Sequence, residues 1–193
     1  AEKKFVLSGD AYTQALSSFF RERVEFYLRD ALGLDYDVVN ATLAAGADDV
    51  VDAAARAQAV AKVRPSSDFE SISVAFKRMK NILRQAAENQ RKIADPYQRV
   101  ALTDSDEKKL AAMIPEVANN VQAFRAARHY EAALMEISKL RPAVDAFFDK
   151  VMVMVEEEDL RANRLGLLQT LVREFSSIAD FSEIVTERKQ GTG

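Results

Sequence analysis

An all-α, multi-helix bundle is the fold this sequence predicts, on three observations. Glycine occurs six times and proline four times in 193 residues, so the punctuation that turns and strands require is scarce. Apolar residues recur at helical spacing through most of the chain. The segments between breaks open on capping residues and close at glycine or just before proline. Hydrophobic residues make up 48% and charged residues 30%, a balance that lets a chain of this length bury a core as one large domain or two small ones.

The elements follow in order. Asp10 can cap a first helix running to about Ala31, with Gly33 as its stop. Asp35 opens a short helix, "YDVVNATLAA", closed by Gly46, and a third runs from about Asp48 to Val63, ahead of Pro65. "SDFE" has capping-box spacing, with Ser67 as cap and Glu70 three residues on, and launches a long helix to about Lys92. "DPYQ" is a loop. Thr103 caps a helix that contains Pro115, where a kink or break is expected. "HYEAALMEISKL" is a further helix, and Pro142 stands in the first turn of the next, where its missing N–H costs nothing.

From Pro142 the apolar residues Ala143, Val144, Phe147, Phe148, Val151, Met152, Met154 and Val155 share one wide arc, so "VMVMV" reads as the end of that helix, against its local β-propensity. Glu156, Glu157, Glu158 and Asp159 then sit where the unpaired N–H groups of the following helix favour carboxylates. In that helix Leu160, Leu167, Leu168, Leu171, Val172 and Phe175 share a face with Arg161 and Arg164. A buried charge needs a partner, so each arginine is either fixed by a carboxylate of a neighbouring helix or serves an anion or ligand.

Enzyme signatures are missing. There is no glycine-rich phosphate loop, no G-x-S-x-G elbow and no H-E-x-x-H pair. His129 is the one histidine, read as a surface or interhelical residue; no catalytic and no metal residues are assigned. The four acids at 156–159 read as a solvated helix start rather than a cation site, since consecutive residues on a helix cannot all face one ion. Cysteine is absent, which fits a reducing, cytoplasmic setting. No apolar run approaches a membrane span, and "AEKKFVLSGD" lacks a signal-peptide core. With a net charge of −3, any nucleic-acid role rests on a local patch.

Such a patch exists. Residues 77–92 carry six basic side chains (Lys77, Arg78, Lys80, Arg84, Arg91 and Lys92) against the single acid Glu88, a local charge of +5. On a helix Lys77, Lys80, Arg84 and Arg91 fall within about 60° of arc, opposite Phe76, Met79, Leu83 and Ala86. A stripe like this is either a solvated face or a track for a phosphate backbone. Asn81, the arginine planes and nearby aromatics such as Phe76 or Tyr97 could read unstacked bases.

The C-terminal third, "HYEAALMEISKLRPAVDAFFDKVMVMVEEEDLRANRLGLLQTLVREFSSIADFSEI", resembles the end of the beta subunit of bacterial two-chain glycyl-tRNA synthetases. "RERVEFYLRD", "YDVVNATLA" and "DFESISVAFKRMKNIL" look like its preceding helices, and "EDLRANRLGLL" is similar to the element that names the DALR anticodon-binding domain. The resemblance implies an all-helical DALR-type bundle over 67–190, with the helices of 1–66 packed onto it as part of a longer subunit. It implies glycine tRNA as partner, a separate alpha subunit in a heterotetramer, and ATP and magnesium in the full synthetase, with no cofactor here, no DNA and no membrane. The alternative is a helical protein–protein domain docking on the alpha subunit or another part of the beta subunit. The RNA-binding residues it points to are Lys77, Arg78, Lys80, Asn81, Arg84, Arg91, Arg161 and Arg164, with Lys77, Lys80, Asn81 and Arg84 ranked first. Two departures stand out: Arg128-His129 replaces an expected Gly-Asp turn, and Asp159 stands where the acronym has alanine.

Overall fold

Low glycine and helical apolar spacing translate into helices joined by short turns, with no strand among the described residues. The computed structural model describes residues 9–186, with side chains from residue 13. The side chain of Asp10, on which the expected cap depends, and residues 187–190 of the expected bundle lie outside what is described. The helices are α1 (Gly9–Phe26, continued by a π turn, Tyr27–Ala31), α2 (Tyr36–Ala44), α3 (Val50–Val63), α4 (Ser67–Glu88), α5 (Ser105–Ala126), α6 (Tyr130–Ser138), α7 (Arg141–Lys150) and α8 (Glu158–Phe175). Gly33 and Gly46 both sit at positive φ, +66° and +106°, as stops should.

α4 is the central element and packs against α6, α7, α8 and a 3₁₀ turn at Phe181–Glu183. Its Phe69, Ile72, Phe76 and Met79 are fully buried. Phe181 closes over two of them, with ring centroids 5.3 Å from Phe69 and 5.1 Å from Phe76, both edge to face. The C-terminal segment is tied to α2 by Asp180 N–H donating to the Ala41 carbonyl at 2.8 Å. Buried Arg56 of α3 fastens the same region, donating to the carbonyls of Thr42, Gly46 and Ile178 and to Asp52. Buried residues from Val24 to Ile184 form one cluster.

The structure corrects several boundaries. The cap of α4 is Ser66, one residue before the expected Ser67; its Oγ accepts from Phe69 N–H at 3.2 Å. α4 ends at Glu88 rather than Lys92, because Gln90 takes positive φ (51°), Gln90 N–H returns to Ala87 O and Arg91 N–H to Ala86 O. These are the two bonds of a Schellman motif. α5 is capped by Asp104, not Thr103, in a full capping box with Glu107. It runs through Pro115 without a break. At its end Arg128 adopts φ 56° and repeats the Schellman pattern, with His129 N–H donating to Phe124 O at 2.8 Å. Arg128 therefore makes the left-handed turn that the resemblance assigns to glycine.

The largest correction concerns "VMVMV". α7 ends at Lys150, and Val151 is already extended, with φ −102° and ψ 116°. The segment is an extended strap with alternating burial: Val151 and Val153 are each 6% exposed, Met152 70% and Met154 43%. Two of its carbonyls, and that of Glu156 after it, accept from α8 instead of within a helix. Arg164 donates to Met152 O at 2.9 Å, and Arg161 donates to Val155 O at 2.7 Å and Glu156 O at 2.9 Å. β-Propensity and these two arginines together outweigh the helical arc.

Candidate nucleic-acid interface

The predicted site residues divide by where their charge ends up. Facing Phe69 as zero, at 100° per residue, Lys80 projects at about 20°, Arg84 at about 60°, Lys77 at about 80°, Asn81 at about 120° and Arg78 at about 180°. Lys80 therefore borders the buried face. It forms an ion pair with Asp180 of the C-terminal segment and is half-buried. Burial alone would raise the Asp180 carboxyl, but hydrogen bonds from Lys80 and Ser182 hold it below its ordinary range. Lys80, ranked among the foremost RNA contacts from sequence, is thus committed to closing the fold.

Arg164 is committed more deeply. It is 7% exposed and donates to Glu107 Oε2 at 2.7 Å, Thr103 Oγ1 at 3.2 Å and the Met152 carbonyl. Glu107 is fully buried and serves two elements at once, since its other oxygen accepts from the Asp104 N–H that opens α5. Burial pushes the Glu107 carboxyl up, and the hydrogen bonds from Arg164 and the Asp104 and Thr103 N–H groups more than reverse it. This is the neighbouring-helix carboxylate that the sequence calls for. Arg161 differs: its partners are the strap carbonyls, not a carboxylate, and its Nε is buried with no hydrogen bond.

The remaining residues face water. Lys77, Asn81 and Arg84 are exposed along α4, with Arg84 held by Glu88 at 2.7 Å one turn on. Arg91 is exposed but sits beyond the end of α4, so it leaves the helical stripe. Arg78 is exposed, and its guanidinium carbon lies 4.1 Å from the centroid of the Phe148 ring of α7. The solvent face of α4 is therefore bounded by Asp180 on one side and Phe148 on the other. Sequence reading missed Phe148 because helical spacing placed it with the core. Of the aromatics it did name, Phe76 is fully buried against Phe181 and Tyr97 is half-buried beside α8.

The loop leaving α4 is laid along α8. Ala94 N–H donates to Ala162 O at 3.0 Å, and the Asn163 side chain makes a reciprocal pair with the Gln98 backbone at 2.6 and 3.0 Å. Gly166 permits this: a Cβ there would meet Ala94 O at 2.1 Å. Arg173 and Lys92 reach across to Asp95 and Asp159, which fixes the loop that carries Arg91.

Comparison with known proteins meets the same region. The model of the DALR anticodon binding domain matches residues 72–184, from the second turn of α4 to the C-terminal turn. The chain is 52% identical over 188 residues to a glycine–tRNA ligase beta subunit of Acidobacterium capsulatum, covering 95% of this chain and 27% of that protein. A glycine–tRNA ligase beta subunit of an Anaeromyxobacter species is 47% identical over 153 residues (79% and 21%), and one of Desulforamulus reducens 37% over 174 (90% and 24%). The chain spans about a quarter of the length of these relatives.

Proposed function

Because the chain belongs to the family of DALR anticodon binding domains, we propose that it is a tRNA-binding module that engages the anticodon region of glycine tRNA within the beta subunit of a two-chain glycyl-tRNA synthetase. The observation that carries this reading is the outward face of α4, where Lys77, Asn81, Arg84 and the ring-supported Arg78 lie in water on a rigid helix within the matched span. Lysine and arginine there neutralise phosphates, and Asn81 can hydrogen-bond a base edge. Aminoacylation, with its ATP and magnesium, then belongs to other parts of the enzyme and to the alpha subunit.

Of the sequence-predicted residues, the proposed surface keeps Lys77, Arg78, Asn81, Arg84 and Arg91 and leaves out Lys80, Arg161 and Arg164, which each bond to groups of the fold. The test is fluorescence anisotropy of a labelled glycine-tRNA anticodon stem-loop at two salt concentrations, with an altered anticodon as competitor. The double variant Lys77→Glu/Arg84→Glu should lose most affinity and flatten the log–log salt slope by about 1.4, two contacts at roughly 0.7 each. If that variant binds with unchanged affinity and slope, the face is wrong. Competition by the altered loop at equal strength would limit the reading to tRNA without anticodon choice.

A further inference from the structure

We propose that Arg78 and Phe148 form a base-stacking platform: an unstacked base of the anticodon loop lies on the open side of the Arg78 guanidinium, whose other side rests on the Phe148 ring. This rests on the tRNA reading above and assigns a task to one part of that surface. Phe148 is an anchored ring. Its neighbour Phe147 is fully buried, and the two rings meet edge to face at 5.3 Å. Phe148 itself is half-buried, and the Arg78 guanidinium, 4.1 Å above it, sits between ring and solvent.

A guanidinium is planar and weakly hydrated, so one whose carbon lies over an aromatic ring can take a second π system on its open side. Holding it in advance removes part of the side-chain entropy that a free arginine loses on binding. Among the described residues Arg78 has no carboxylate within ion-pair distance, in contrast to Lys80, Arg84, Arg141 and Arg164.

The surrounding charges say which part of a nucleotide goes where. Asp145 and Asp149, three residues before and one after Phe148, are exposed on α7. Asp145 is paired with Arg141 at 3.4 Å, and the carboxylate of Asp149 repels a phosphate but not an uncharged base. Lys77 and Arg84 lie on the far side of Asn81 from Arg78, with Glu88 paired to Arg84 and Asp180 taken up by Lys80 at the edge of the face. The backbone thus follows Lys77 and Arg84, a base turns toward α7 onto Arg78, and Asn81, one turn of helix from Arg78, meets its edge.

The experiment uses the glycine-tRNA anticodon stem-loop with 2-aminopurine placed in turn at each loop position, titrated with wild type, Arg78→Lys, Phe148→Leu and Phe148→Tyr. Arg78→Lys keeps the charge and removes the plane. It should weaken loop binding about 5- to 150-fold, the worth of one stacked base. The salt slope should hold, and the fluorescence change at one loop position should disappear. Phe148→Leu should act in the same direction and Phe148→Tyr should restore binding, with circular dichroism showing all variants helical. Wild-type affinity and fluorescence change in Arg78→Lys overturn the platform while leaving the tRNA reading intact. A wild-type chain that binds no stem-loop overturns both.

Discussion

Gly166→Ala sets two effects of opposite sign against each other, and the structure decides between them. On helix propensity alone, replacing a glycine in the interior of α8 by alanine stabilises by about 1 kcal/mol. The added Cβ, however, would stand 2.1 Å from the Ala94 carbonyl oxygen and 3.1 Å from its carbon, both backbone atoms. An ordinary contact needs more than 3.4 Å, so the 92–98 loop has to move by more than an ångström. That movement strains or breaks the Ala94-to-Ala162 bond and the paired bonds between Gln98 and Asn163. Overpacking of this kind costs about 1–3 kcal/mol, and each hydrogen bond lost about 1 kcal/mol. With one or two bonds lost, the net destabilisation is about 1–4 kcal/mol, or a fall in Tm of about 3–12 °C for a domain of this size. Thermal melting by circular dichroism measures it, and amide exchange at Ala94 and Gln98 should rise selectively. A Gly166→Ala variant as stable as wild type, or more so, refutes the close packing of loop on helix.

Two further outcomes follow from the buried charges. Arg164→Leu leaves the Glu107 carboxylate buried without its partner and frees the Met152 carbonyl, which should cost about 3–5 kcal/mol. Adding Glu107→Leu removes the unpaired charge and should recover part of that loss in a urea melt, and failure to recover any would locate the damage in the strap or in the α5 cap that Glu107 also makes. On acidification, the carboxyls of Glu107, Asp180 and Asp52, each held below its ordinary range by its donors against burial, favour the folded state only while ionised. Their folded pKa values are depressed, so this stability is present above the unfolded carboxylate range near pH 4 and is lost as pH falls through it toward the folded values. Tm should hold from about pH 7 to 5 and drop below about 4.5. Glu107→Gln, less stable at pH 7, should show the shallower drop; equal slopes would remove Glu107 from the account.

Element existence was legible because it depends on local signals. Gly33 and Gly46 stop helices wherever they stand, and Pro142 suits a first turn regardless of what packs above it. What misled were positions decided by a partner distant in sequence. Ser66 and Ser67 are both good caps, and it is the Ser66 Oγ that accepts from Phe69 N–H. Gln90 and Arg128 end helices in a conformation that glycine usually marks, so no residue type announced either stop. The apolar residues of the strap at 151–155 continue the amphipathic arc of α7, which is why spacing extends the helix through it. Two arginines eight and eleven residues beyond the strap's centre, Arg161 and Arg164, give the Val155 and Met152 carbonyls partners from α8.

The same distinction separates the basic residues of α4. Composition establishes that the helix is basic, but a charge serves an external ligand only if nothing inside the fold claims it first. Lys80 comes eleven residues after the fully buried Phe69, three helical turns almost to the residue, so it lies over the buried line and meets Asp180. That signal was present in the spacing. What sequence could not supply was the position of Asp180, one hundred residues away. Arg78 is the converse: its spacing from Phe69 turns it outward, and only the packing of α7 on α4 sets a phenylalanine beneath it. A basic helix in a domain of this kind is therefore divided by its neighbours into residues that hold the fold, residues that neutralise phosphate, and one that is supported from below. Charge reversal at Lys80 and at Arg84 tells the first two apart. The first reversal lowers Tm by placing like charges at the half-buried Asp180 pair, and the second, whose exposed like-charge pair with Glu88 costs only about 0.2–0.5 kcal/mol, lowers Tm far less and lowers RNA affinity.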